Sequence, residues 1–146
     1  MSIKLETIMV NAKAALVTTS AFVTVQRGKI SSQSIQPENR PAAGIWRAKN
    51  MIAKQQRGNT ELETTYELIL VVEITGSVSS DPDSQDTELI TLRDAVITAF
   101  ANNRLGGQCS ALDPYGDDPS VDVATAAGYE QMAFRTFYTE TKPAVH

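Results

Sequence analysis

The stretch from Glu61 to Thr75 constrains the fold more than any other part of this sequence. Leu62, Thr64, Tyr66, Leu68, Leu70, Val72 and Ile74 fall on one face. Glu61, Glu63, Thr65, Glu67, Ile69, Val71, Glu73 and Thr75 fall on the other. Period-two alternation of this kind reads as a β-strand with one face turned to a core. At ~3.3 Å per residue it spans about 50 Å, far beyond an ordinary strand. A compact domain cannot cover that length. The Glu61 end, paired back with 43–49, is therefore expected to project as a hairpin arm. The alternative is a bulge or break near Thr64-Thr65, with everything packed at home. Ile69 and Val71 also place an apolar patch on the polar face, which calls for a cover: a local loop or a neighbouring subunit.

The remaining elements fall on either side of this strand. Ser2 is placed to cap a helix from Ile3, with Leu5, Ile8, Met9, Ala12, Ala15 and Leu16 on its apolar face. Phe22–Arg27 reads as a strand, 28–41 as a long polar loop, Ala42–Lys49 as a strand and 50–60 as a basic connection. Gly76–Gln85 reads as a loop. Asp86 or Thr87 is then expected to cap a second helix carrying Leu89, Leu92, Val96 and Phe100. Asn102, Asn103, Arg104 and Gly106-Gly107 stop that helix. A loop over 105–120, a short strand over 121–124 and a strand over Glu130–Thr141 follow, and Pro143 ends the order. With 146 residues and no internal repeat, this predicts one domain. Its class is α+β, an antiparallel or mixed sheet of four to five strands with two helices on one face and a projecting hairpin.

Catalytic chemistry finds little support. The only histidine is the terminal His146 and the only cysteine is Cys109, which removes most histidine-based sites and any multi-cysteine metal site. Asp113, Asp117, Asp118 and Asp122 lack the spacing of a calcium loop, and Pro114 and Pro119 cut through them. Asp81, Asp83, Asp86 and Glu88 precede a helix, where capping and the helix dipole explain acids without catalysis. Gly106-Gly107 follows a helix instead of opening one, so it reads as a C-cap and not a phosphate loop. Cys109 has no nearby Lys or His and reads as a passive thiol. No enzyme activity, cofactor or metal is expected. No apolar run reaches the ~20 residues of a membrane helix.

Charge is strongly segregated. Nine basic residues stand against two acids before Glu61, and four against fifteen from there on. Arg40, Arg47, Lys49, Lys54 and Arg57 form the one basic cluster, with Trp46 inside it. Such a division suits a partner surface, and phosphate contacts beside an aromatic could also bind nucleic acid.

The run Pro-Ala-Ala-Gly-Ile-Trp (41–46), the polar insertion after it, the long strand ending Leu70-Val71-Val72-Glu73-Ile74, the acidic loop, the helix and the aromatic alternation of Tyr129–Thr141 come in a familiar order. That order resembles the tail terminator proteins of long-tailed bacteriophages, the lambda-type minor tail protein U family. The resemblance implies a small α+β subunit, without enzyme activity or cofactor, that forms a hexameric ring. Such a ring caps the tail tube and ends its polymerisation. It joins the tube to a head-closure or neck protein, at the head-proximal end of the virion tail. The subunit is made in the host cytoplasm, and DNA passes through the lumen without being read by sequence. A head-tail joining or tail-completion ring protein is a close alternative, and a nucleic-acid-binding module using the basic hairpin is a more distant one. Charge and burial nominate Arg47, Lys49, Lys54, Arg57, Glu61, Glu63, Ile69 and Val71 as the subunit interface, because a ring uses heterologous contacts between unlike surfaces.

Overall fold

A computed structural model describes residues 3–30, 35–122 and 126–143, with the backbone alone at Asp118 and at 120–122. The expected helix forms as α1, Ile3–Thr18, and buries Ile8, Met9, Ala12 and Leu16. Its proposed cap, Ser2, lies outside the described residues. Strand β1 covers Thr24–Arg27 and pairs in parallel with β2, Ala42–Arg57. Strand β3, Glu61–Val78, runs antiparallel to β2 on one side and to β5, Ala127–Pro143, on the other. Strand β4, Asp113–Asp122, adds to the outer edge of β5. The mixed five-stranded sheet has the order β1-β2-β3-β5-β4.

Helix α2, Pro82–Phe100, begins earlier than Asp86 or Thr87. Asp81 is the N-cap: it accepts from the Asp83 amide at 3.2 Å and from the Ser84 hydroxyl at 2.7 Å, and Pro82 occupies the first turn. Asp-Pro is a helix-start signal that looks like loop composition when read residue by residue. The C-terminal end comes as expected. Asn102, Leu105, Gly106 and Gly107 all adopt positive φ just past Phe100.

Both helices pack on one side of the sheet. Leu68, Leu70, Val72 and Ile74 of β3, Ala43 and Ile45 of β2, and Met132 and Phe134 of β5 join Leu16, Leu89, Leu92, Val96 and Phe100 in one core. Phe100 meets Phe134 edge-on at 5.0 Å, a favoured aromatic geometry.

Two expectations need correction. The basic connection at 50–60 is instead strand as far as Arg57. Bulges at Ala48 and Ala53 shift the pairing register there and erase the alternation that reveals a strand. The loop expected over 105–120 gives way to β4 from Asp113 onward, and 123–124 lie outside the described residues. Pro114 and Pro119 are tolerated because β4 is an edge strand, which need not donate outward.

The segment 28–41 includes a short 3₁₀ turn at Pro37–Asn39 and a cis Arg40-Pro41 bond. Its described parts, 28–30 and 35–41, close over the sheet face opposite the helices. Buried Arg40 donates to the Thr75 hydroxyl at 2.5 Å and to the Gly76 carbonyl at 3.4 Å. The Ile30 amide donates to Glu73 Oε2 at 2.9 Å. A local loop therefore covers the Glu73–Thr75 end of that face, while Ile69 and Val71 remain half-buried farther out.

Candidate functional site

The far end of the sheet projects beyond the body. The β1 ladder stops at Arg27–Ile45 and the β4 ladder at Asp113–Arg135. Past those pairs β2, β3 and β5 continue alone to Arg57, Glu61 and Pro143. The expected two-stranded hairpin is therefore a three-stranded arm. Every residue from Arg47 to Glu61 is exposed. Of the competing idea, a bulge or break near Thr64-Thr65 with everything packed at home, the bulge is present at that level but its extra residue is Ala53 of β2, while β3 itself is continuous and the arm still projects.

Side-chain pairs stiffen the base of the arm. Tyr66 and Tyr138 stack at 5.1 Å and 17°. The Tyr138 hydroxyl donates to Asn50 Oδ1 at 3.0 Å. Thr65 and Thr139 share a 3.1 Å hydroxyl contact. Lys4, in the first turn of α1, donates to the Thr139 carbonyl at 2.8 Å and ties that helix end to the same level.

Directly paired residues share a face, and the register sorts the nominated positions. Arg47 pairs with Leu70 and Arg57 with Leu62, so both arginines lie on the helix side. Lys49 pairs with Ile69 and Lys54 with Thr65, on the opposite side, where Glu61, Glu63, Ile69 and Val71 also lie. The two bulges thus divide the basic cluster between faces. Lys49 is also engaged within the chain, 2.6 Å from Glu67. Next to Ile69 on that side, Arg135 lies 5.7 Å from the Tyr115 ring and 5.8 Å from the Phe137 ring.

Two buried carboxylates are features that the sequence reading missed. Glu73 accepts from the Tyr129 hydroxyl at 2.5 Å, from the Gln131 amide at 2.9 Å and from the Ile30 amide. Burial, then the bond to Glu73, pushes the Tyr129 hydroxyl up to about 12. The available signal was a lone acid in the apolar run Val71-Val72-Glu73-Ile74. Glu130, on the helix side, is 3% exposed, and its Oε2 has no hydrogen-bond partner. Arg93 Nε stands 3.5 Å from it and 2.7 Å from Asp117 Oδ2. Burial, then the neighbouring Asp117 carboxylate, pushes Glu130 up to about 7. The Arg93 guanidinium holds Asp117 below its ordinary range. Nothing in the sequence joins these three residues, because the strand register does it.

The hollow lined by Arg93, Asp117 and Phe134 measures about 90 Å³, well below the ~300 Å³ of small ligand pockets. Asp113 and Asp117 are exposed on β4, and no group of three or more metal-ligating side chains occurs among the described residues. Cys109 is buried, and burial pushes its thiol above its ordinary range. No helix among the described residues is long and apolar enough to cross a membrane.

No family model and no curated protein matches the sequence. A likeness does appear among solved structures. A chain from the virion of a native gene transfer agent particle superposes over 91% of this chain and 92% of its own length, with a TM-score of 0.51 at 10% identity. The two chains share a fold. The fimbrial biogenesis protein PilO from Pseudomonas aeruginosa aligns over 91% of this chain and 67% of its own, at 6% identity. Its TM-score of 0.30 is too low for a common fold.

Proposed function

We propose that this protein is a structural, non-catalytic component of a phage-like virion, a tail terminator whose ring caps the tail tube and ends its growth. One observation carries the reading: a chain of a gene transfer agent virion has the same fold over nearly its whole length. The resemblance of 41–46, the Leu70–Ile74 strand end and Tyr129–Thr141 to tail terminators points the same way. A projecting arm with an exposed basic strand gives the subunit a means of reaching a neighbour. Heterologous contacts of that kind close into rings when the rotation per subunit permits. Six copies, a tube protein on one side and a head-closure or neck protein on the other, complete the reading. DNA would pass through the lumen, and the assembled protein would reside in the virion.

The test is the solution mass at low and moderate salt, with negative-stain imaging of any large species and of tail tubes incubated with the protein. Rings near six subunits, and tubes capped at one end, are expected. A protein that binds no tube and forms no ring rejects the reading. A neck-ring role instead predicts rings that leave tube ends bare.

A further inference from the structure

We propose that Arg93, Asp117 and Glu130 form a proton-operated latch, which holds edge strand β4 against helix α2 and releases the strand when its proton is lost to water. The inference is independent of the ring reading above.

Strand β4 has little else to hold it. Every residue from Asp113 to Pro119 whose side chain is described is exposed, and none of them enters the core. The strand pairs with β5 alone. Segments with few buried apolar contacts open at much lower cost than a core does. Between α2 and β4 a hollow of about 90 Å³ remains, beside Ile97 and Pro114. The bond that crosses from the helix runs from Arg93 Nε to Asp117 Oδ2, at 2.7 Å.

Next to this bond lies a carboxylate that the closed strand keeps dry. Glu130 is buried, opposite Pro119 in the β4 ladder, and its Oε2 has no hydrogen-bond partner. Among the described residues, α2 turns Arg93 and Asp86 toward it, and β4 turns Asp117. On β3 its direct neighbour is the uncharged Ile74. Arg93 is the one cation here, and Asp94 also claims it, at 3.4 Å. With Glu130 protonated, Glu130 is a donor to the Asp117 carboxylate and Arg93 is left to Asp117 and Asp94. With Glu130 ionised, the same guanidinium must serve three carboxylates, and one of them is out of reach of water. A buried charge without full compensation is costly.

Two events relieve that cost. Glu130 keeps its proton, which its folded-state value of about 7 reflects, or β4 moves out, carries Asp117 away and lets water reach Glu130. The closed strand therefore binds the proton more tightly than the open one. Opening is rarest below the ordinary glutamate range, rises with pH up to about 7 and levels off above it. Release also bares the outer edge of β5 from Ala127 to Arg135. Such an edge presents unpaired backbone groups, the chemistry that strand addition uses.

The test is hydrogen–deuterium exchange of the full chain, read by mass spectrometry across this pH window and corrected for intrinsic exchange rates. Amides of β4 are compared with those of β3. The β4 opening constant should rise at least about tenfold from pH 4.5 to pH 7 and then level off. It should exceed that of β3 throughout and stay unchanged in low urea, because a local opening exposes little surface. Glu130→Gln, which stays neutral and still donates, should keep β4 protected at every pH. Asp117→Asn, at an exposed site outside the core, should flatten the rise, because Arg93 then neutralises Glu130 in place. Amides of β4 that exchange only together with β3, through global unfolding, overturn the latch. So does a wild-type β4 opening constant that is flat with pH, or one that still rises in both variants.

Discussion

The Tyr129 hydroxyl donates a 2.5 Å hydrogen bond to Glu73 Oε1 across adjacent strands, on the sheet face away from both helices. Glu73 is 3% exposed, and the Gln131 side-chain amide and the Ile30 backbone amide are its other two donors. The carboxylate therefore fastens the 28–30 segment to the sheet. Glu73→Ala leaves three donors without this partner, at about 1–3 kcal/mol for each donor that stays buried. Tyr129→Phe should cost about 1 kcal/mol. Urea unfolding measures both. Equal stability of Glu73→Ala and wild type would remove the fastening role.

Gly44 supports the same contact from the neighbouring strand. A Cβ there would stand 2.6 Å from the Gly28 carbonyl oxygen and 2.9 Å from Ile30 Cγ2. The nearest obstacle is backbone, which cannot swing aside. Gly44→Ala should therefore destabilise by about 1–3 kcal/mol, as overpacking does. Gly116 has nothing within 4 Å of an added Cβ, so Gly116→Ala serves as the control. Thermal melts of the pair should separate clearly.

Glu130 predicts an unusual pH dependence. Its folded-state pKa of about 7 lies above the ordinary glutamate value, through burial and then through Asp117. The folded chain thus binds this proton more tightly than the unfolded chain. The resulting stability is fully present below the ordinary glutamate range and is lost as pH rises toward 7. Asp117, held low by Arg93, acts in the opposite sense and loses its contribution only on acidification. Stability should therefore fall between about pH 4.5 and pH 7. Glu130→Gln, which stays neutral, should flatten that slope. A wild-type profile flat across this window would contradict the assignment.

The sequence revealed the long strand, both helices and the one-sided helix packing because each rests on local periodicity. Leu68, Leu70, Val72 and Ile74 are buried as the alternation requires. The outer half of β2 was illegible for a physical reason. It is solvated on both faces, and its bulges at Ala48 and Ala53 break the period, so a strand there has the composition of a loop. Strand β4 was hidden by prolines that only an edge position permits. Of the nominated interface residues, Lys54, Arg57, Glu61 and Glu63 lie on the arm and Arg47, Lys49, Ile69 and Val71 at or below its base, and which face each occupies depends on those bulges. The Glu130–Asp117–Arg93 group depends wholly on register between distant segments.

Charge reversal on the arm tests the assembly reading most directly. Lys54 sits on the exposed outer strand with Arg57 close to the tip, and neither packs in the core. Lys54→Glu with Arg57→Glu should leave the monomer's thermal midpoint within a degree or two, because exposed substitutions of this kind change stability by about 0.5 kcal/mol or less. Self-association should weaken severalfold at low salt, and the difference should shrink as salt rises and screens the contacts. Lys49→Glu would also break the 2.6 Å pair with Glu67. Sedimentation at two ionic strengths reads both effects. A double variant that assembles like wild type at low salt would show that the cations of β2 do not meet acids of a neighbour.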